Sequence, residues 1–457
     1  RYDSARSALR RVLLSPPRHQ ADTAFRQRVL GELAESEELG RAAELAYVEL
    51  RALRLVLCAQ DRVVTASQAV RRRVDILLAL KKAVASLLPF QKARSGLARL
   101  GAFASTLVES PSYQRLDQLL SFEDHRAVLE SHLSLGYDGT LRRFDIVRVS
   151  EVEHAGFARG PGSRFLRRLF GFFRGHRFSE DDVMSQLLEQ VFVSLEGDVV
   201  ELLRVTLQLE FYLACLGFQR QARAGGLEVC LPVFEPEIRE LEGLFNPWLL
   251  NQAGGPVPCR LGPFEARRTV IVTGPNSGGK TRFLQAVAIS QLLGQVGSFV
   301  PAVRARLVWV DQLFLSLIER PAAEQKEGRL GTELLRIRKV FETSGADSLI
   351  TMDELCSGTN PSEGEEIFQM VLELLGELRP QVFISTHFLD FAARLAQRGD
   401  ANLLFLQVEL TERERPTYQF VPGVATTSLA QTTAARLGVT RDELLGLIEA
   451  RRARLQQ

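Results

Sequence analysis

One stretch of eight residues, Gly274, Pro275, Asn276, Ser277, Gly278, Gly279, Lys280 and Thr281, constrains the fold more than any other feature of the chain. It has the form G-x-x-x-x-G-K-[ST]. The apolar run Thr269 to Thr273 precedes it, and the helix-like segment Arg282 to Leu293 follows. A strand, a glycine turn and a helix in that order call for a parallel sheet covered by helices. Glycines let the backbone curl until its N–H groups converge on one point, and the helix N-terminus adds a favourable dipole for an anion there. The anion implied is the phosphate chain of ATP. Lys280 would reach the β- and γ-phosphates, and the Thr281 hydroxyl would ligate Mg²⁺. A chance glycine-rich turn is the plain alternative, and the flanking strand and helix argue against it.

Two later segments fit the same site. Leu349 to Met352 is a buried-strand run that ends in Asp353 and Glu354. An acid at the C-terminal tip of such a strand suits a Mg²⁺-bound water, and its neighbour Glu354 would polarise the attacking water. The same pair would also serve as a helix N-cap. Val382 to Ser385 is a further strand run, closed by Thr386 and His387, whose imidazole would orient the water beside the γ-phosphate. A lone histidine is usually structural; its order behind the other two segments favours function.

Around this site the texture changes along the chain. Residues 1 to about 135 read as almost continuously helical, with joints at Pro16-Pro17 and Pro111. Gly136 to Gly139 is a turn signal, and Leu141 to Val149 alternates like a short strand. A helical pattern resumes at Asp181 and runs through Phe218 to the Gly225-Gly226 pair. Beyond the connector Asn251 to Pro256, the short apolar runs Thr269–Thr273, Leu307–Val310, Leu349–Met352 and Val382–Ser385 alternate with helical segments. A chain of 457 residues calls for more than one core. The expectation is a helical domain over 1–235, with an insertion around 136–180, and an ATPase domain over 236–457.

Composition narrows the setting. The five cysteines are scattered and never form a CxxC pair, which argues against a disulfide framework or a zinc site and for a reducing, cytoplasmic compartment. No uninterrupted apolar run reaches the roughly 18 residues of a membrane span. The net charge of +2 leaves polyanion binding to a local patch. That patch lies between His154 and Ser179, a stretch free of acids that holds Arg159, Arg164, Arg167, Arg168, Arg174 and Arg177. Arginine forks on phosphates would bind DNA without sequence preference. An anionic membrane surface meeting residues 159–178, or a merely solvated loop, stays open beside that reading.

Taken together, these segments resemble the MutS family of DNA mismatch-repair ATPases. Thr273-Gly-Pro-Asn-Ser-Gly-Gly-Lys-Thr281 is similar to the family's TGPNxGGKS/T. Gly297-Ser-Phe-Val-Pro-Ala302 is similar to its G-x-[YF]-V-P-A, Asp353 to Gly364 to its DE-x-x-x-GT-x-x-x-x-G, and Ser385-Thr-His387 to its [AS]-T-H. Phe420 to Gly438 looks like its closing segment. More loosely, Leu14 to Pro17 resembles the start of the family's helical core, and Val199 to Phe218 its returning lever helix. The resemblance implies an ABC-type α/β P-loop ATPase domain joined to an all-α lever with a small clamp-like insertion. It also implies ATP and Mg²⁺ as ligands, and a homodimer closing through the ATPase domain.

Departures from the family pattern shape the expectation further. Gly328 to Glu333 stands where the family's signature loop, read in trans by the partner's nucleotide, carries Ser-Thr-Phe; Gly331 and Thr332 would make that contact here. Asn246, in Gly243 to Pro247, stands where the family has the histidine of R-H-P. Pro256 takes the place of an adenine-stacking aromatic, ahead of Val257 at the base. No segment upstream of Leu14 resembles the mismatch-reading and connector domains, and none after the ATPase resembles a nuclease tail. The expected function is therefore a DNA-binding ATPase that moves lever and clamp without reading mismatches itself. The alternative is an ATP-switched scaffold that binds a protein partner or a membrane.

Overall fold

A computed structural model describes every residue except 1–2, 59–65, 122–125, 136–140, 153–179, 317–327, 357, 428, 430–436 and 456–457. The chain divides into two units: Arg1–Arg10 with Arg28–Leu216, and Arg11–Gln27 with Gly217–Gln457. All six arginines of the basic segment lie outside the described residues, as does the Gly136–Gly139 turn.

The first unit is helical. After α1 (Asp3–Leu14) and α2 (Gln20–Glu35) come α3 (Glu37–Cys58), α4 (Ala66–Leu87), α5 (Ala98–Glu109) and α6 (Pro111–Ser121). Burial follows the 3.6-residue period. In α3, Leu39, Ala42, Ala43, Ala46, Leu50 and Leu53 turn inward. Pro111 opens α6, where a missing N–H costs nothing. Gly101 is required by close approach: a Cβ there would stand 2.2 Å from the backbone nitrogen of Gln91. The long helix α7 (Glu180–Ala224) buries Leu195, Leu202 and Leu209, and Tyr47 of α3 donates a hydrogen bond to Glu210 at 2.9 Å.

The helical pattern expected up to residue 135 stops at Ser121. Arg126–Leu135 is instead a strand, β1, antiparallel to β2 (Leu141–Val152), with Arg126 opposite Val152 and Leu135 opposite Leu141. Pairing with a partner strand decides its conformation, and helical periodicity carries no trace of that partner.

The second unit holds two sheets. β3 (Val233–Phe234), β4 (Ile238–Leu244), β5 (Cys259–Glu265) and β7 (Arg304–Leu307) form one, in the order β3-β7-β4-β5. The other comprises β6 (Thr269–Thr273), β8 (Gln312–Ser316), β9 (Ser348–Met352), β10 (Gln381–Ser385), β11 (Leu403–Leu410) and β12 (Pro416–Pro422). Its order is β12-β11-β6-β10-β9-β8, parallel except for the edge strand β12. The central strands β6, β9 and β10 are buried at every position, which is why they read as unbroken apolar runs. Helices α8 (Lys280–Gln295), α9 (Gly328–Thr343), α10 (Pro361–Leu378) and α11 (Leu389–Gln397) complete the α/β layer, and α12 (Arg441–Leu455) follows.

The run Leu307–Val310 is not the strand its apolar residues suggest. β7 ends at Leu307 and belongs to the smaller sheet. Val308 and Val310 are nonetheless buried, because Gln291 and Gln295 of α8 donate to their carbonyls at 2.9 and 2.7 Å. Buried side-chain amides thus replace the missing ladder. Residues 11–27 join this unit through Thr23, fully buried, whose hydroxyl donates to the Gln295 carbonyl at 2.6 Å, and through Arg26, which donates to Val296 at 3.0 Å.

Candidate nucleotide site

Parallel strands put their C-terminal tips on one edge of the sheet, and here three such tips converge. Ser385 of β10 stands opposite Val272 of β6, and Ile384 opposite Met352 of β9. The turns after β6, β9 and β10 therefore emerge side by side, where ligands bind in open α/β sheets.

The loop after β6 has the expected form. Gly274 has φ +135° and Gly279 φ +84°, values that an L side chain rarely adopts. A Cβ on Gly274 or Gly278 would also collide with Val408, at 2.7 and 2.9 Å from its Cγ2. Gly274, Pro275 and Gly278 are buried, whereas Asn276 and Ser277 form the exposed tip. Gly279 caps α8, so the helix N-terminus faces the loop. Thr273 anchors the base of the loop: its hydroxyl donates to the Leu406 carbonyl at 3.2 Å and accepts from the Ala425 amide at 2.9 Å.

Lys280 is buried, and its ammonium donates to the carbonyls of Gly274 at 2.8 Å and Pro275 at 3.2 Å. Burial holds it below the usual lysine value, opposed by the carboxylates of Glu354 and Asp353. Thr281 Oγ1 donates to Asp353 Oδ2 at 2.7 Å, and Ser385 Oγ donates to Asp353 Oδ1 at 2.5 Å. Asp353 is thus held by the loop on one oxygen and by β10 on the other. Ser385 Oγ in turn accepts from the Glu354 amide at 2.8 Å. Glu354, half-buried, has φ +50°. His387 is exposed just beyond β10, its ring 4.3 Å from that of Phe388. Gly364, at the start of α10, lets the Phe388 ring approach: a Cβ there would meet it at 2.9 Å.

Val257 is exposed, and its neighbour Pro258 accepts from the Gln419 side chain at 2.9 Å, which brings the segment against β12. There the structure adds a residue that the motifs do not reveal. The ring of Tyr418 lies beside Gly279, with Cδ1 3.2 Å from where a Cβ would stand, and it is 45% exposed. Tyr418 has φ +61°, and no local pattern announces it. Asn246 is buried against α8, donating to the Arg282 carbonyl at 2.9 Å and to Gln285 at 3.1 Å, and accepting from the Trp248 amide at 3.0 Å. Gly331 and Thr332, expected in a loop, stand half-buried in the first turns of α9.

The side chains here suit a divalent cation. A hydroxyl and a carboxylate, both hard oxygen donors, already meet at 2.7 Å on the edge where the phosphate loop opens. Among the described residues, no cluster of three His, Cys, Asp or Glu forms an all-protein metal cage.

Comparison with known proteins agrees with this geometry. Residues 270–444 match the family described as MutS domain V. The chain is 33% identical over 180 residues to an endonuclease MutS2 of Thermus thermophilus, a match covering 39% of this chain and 24% of that protein. It is 34% identical over 173 residues to the endonuclease MutS2 of Levilactobacillus brevis, covering 38% and 22%. With the endonuclease MutS2 of Thermomicrobium roseum it shares 31% over 227 residues, covering 47% and 28%. The matches thus span about a quarter of the length of these curated relatives. Over residues 270–444 the chain is thus similar to domain V of the MutS family.

Proposed function

We propose that the chain binds ATP with Mg²⁺, hydrolyses it, and uses the cycle to act on DNA. The contact that carries this reading is the hydrogen bond from Thr281 to Asp353 at 2.7 Å, which joins phosphate loop and sheet at the place a cation needs. A divalent cation held by Thr281 and Asp353 supplies charge neutralisation to the phosphate oxygens. The N–H groups of the Gly274–Thr281 loop and the N-terminus of α8 bind the phosphates. Lys280 gives up its own loop carbonyls to do the same. The Tyr418 ring and Val257 offer the base an apolar platform beside the loop.

In the hydrolytic step a water oxygen bonds to the γ-phosphorus as the bond from that phosphorus to the bridging oxygen breaks. Glu354 accepts the water's proton and His387 orients the water. ADP and inorganic phosphate leave, and the proton passes from Glu354 to phosphate or solvent. Gly331 and Thr332 would complete a second subunit's site. The exposed Leu444, Leu445, Leu447 and Ile448 of α12 support such a subunit contact. The helical residues up to 235 would act as the lever, with the clamp-like segment at 136–180. DNA is favoured by the MutS-family match and by the six arginines between 159 and 177. The fitting compartment is the cytoplasm; among the described residues no helix is long and apolar enough to cross a membrane.

The test is steady-state ATP turnover by the full chain with and without duplex or branched DNA. DNA should stimulate turnover, and the stimulation should fall steeply with added salt as counterions compete for the phosphates. Turnover that ignores DNA at low salt, yet responds to liposomes or a protein partner, would replace DNA with those ligands.

A further inference from the structure

The turn after β9 holds Glu354 in a conformation that side-chain-bearing residues resist. φ is +50° at Glu354 and +60° at Cys356. Two left-handed non-glycine residues within three positions persist only when their surroundings hold them. One bracket is Ser385, whose hydroxyl accepts from the Glu354 amide at 2.8 Å. The other comes from α9. Glu333 Oε1 accepts from the Cys356 amide at 2.6 Å, across 23 positions of sequence. Leu355 and Cys356 are buried, so this amide needs a protein partner, and a carboxylate gives it a short, charge-assisted one. Burial, and then Glu333, push the Cys356 thiol up to about 12, so no thiolate competes for the role.

We propose that Glu333 is a positioning residue for hydrolysis: its carboxylate locks the left-handed turn, and so fixes where Glu354 stands. The inference rests on the ATP-hydrolysing reading of the site. It adds a consequence that the phosphate loop alone lacks. Glu333 directly follows Gly331 and Thr332, so a displacement of the first turns of α9 passes through one hydrogen bond to the residue two places beyond Glu354. The rate of hydrolysis then depends on where α9 sits, while ATP binding at the Gly274–Thr281 loop does not.

The experiment compares the full chain with Glu333→Ala and Glu333→Gln in ATP turnover, fluorescent-ATP binding and amide exchange over residues 353–358. Glu333→Ala should lower kcat by about tenfold or more, as misplaced catalytic groups do, with KM and ATP affinity held within about twofold. Glu333→Gln, whose amide oxygen still accepts, should recover most of the rate, and exchange over 353–358 should quicken in the Ala variant alone. Unchanged kcat in Glu333→Ala, equal losses of kcat and ATP affinity, or a Gln variant as slow as Ala would each overturn the role. Should the Ala variant not fold, Glu333→Asp decides. Its shorter arm must give the same selective fall in kcat, and normal turnover there removes Glu333 from the mechanism. No ATP turnover by the wild-type chain, or turnover undiminished by Lys280→Ala, sinks the ATP reading itself, a result distinct from any of these.

Discussion

The Thr281 hydroxyl donates to Asp353 at 2.7 Å across 72 positions of sequence, and this one contact aligns the phosphate loop with the tip of β9. Both oxygens are hard donors of the kind Mg²⁺ selects. Asp353→Asn keeps the shape and removes the charge. The Mg²⁺ concentration giving half-maximal turnover should rise by about tenfold or more, while ATP binding without metal changes little. A Mg²⁺ titration of the variant checks this, and an unmoved midpoint would dismiss Asp353 as the ligand.

Glu354 stands next to Asp353, and the proposed function gives it a separate role. Glu354→Gln should bind ATP as tightly as the wild type and lose about a hundredfold or more in kcat, the range a general base supplies. His387→Ala should lose less, about tenfold, since orienting water is the smaller contribution. Single-turnover rates with bound ATP separate the two from any effect on affinity.

Lys280 gives the site a pH dependence of known sign. Burial holds its value below 10.5 in the ligand-free protein, and phosphate favours the charged form. ATP affinity is therefore complete below that lowered value and is lost as the pH rises through it, by up to about tenfold per unit. Fluorescent-ATP titrations from neutral to alkaline pH should show this limb. Lys280→Ala should bind about a hundredfold more weakly and lose the limb altogether, since no titrating ammonium remains.

Tyr418 lies beside Gly279, and its neighbour Gln419 donates to the Pro258 carbonyl. If its ring is the base platform, Tyr418→Ala should weaken ATP binding by about tenfold, and Tyr418→Phe by much less, because stacking needs only the aromatic face. Binding of inorganic triphosphate, which has no base, should be equal in all three proteins. A loss shared by triphosphate would instead mark Tyr418 as a support of the loop.

Asn246 makes three hydrogen bonds from a buried position: to Arg282, to Gln285 and from the Trp248 amide. Asn246→Ala would remove three part-buried hydrogen bonds, at a cost of about 2 kcal/mol. Denaturant unfolding of the full chain, followed by the fluorescence of its two tryptophans, Trp248 and Trp309, should shift its midpoint accordingly. An unshifted midpoint would mean that water takes over these bonds.

The candidate nucleotide site could be read from the sequence because each of its three segments is a local device. A glycine turn after a buried strand, an acid pair at a strand end and a histidine at another can each be read within about ten residues, the reach of strand and turn signals. The central strands β6, β9 and β10 were equally plain, since burial on both faces leaves an unbroken apolar run. Sequence also gave the family resemblance that the match to residues 270–444 bears out.

Only the tertiary structure decided what depends on distant partners. Arg126–Leu135 became a strand because Leu141–Val152 pairs with it, and Leu307–Val310 left the ladder because Gln291 and Gln295 satisfy its carbonyls. Val408 under the glycines, Tyr418 beside them and Glu333 on the Cys356 amide all arrive from elsewhere in the chain. No periodicity encodes such meetings. The loop from Gly274 to Thr281 can be read from its own eight residues; how the turn bearing Glu354 is held is set by packing.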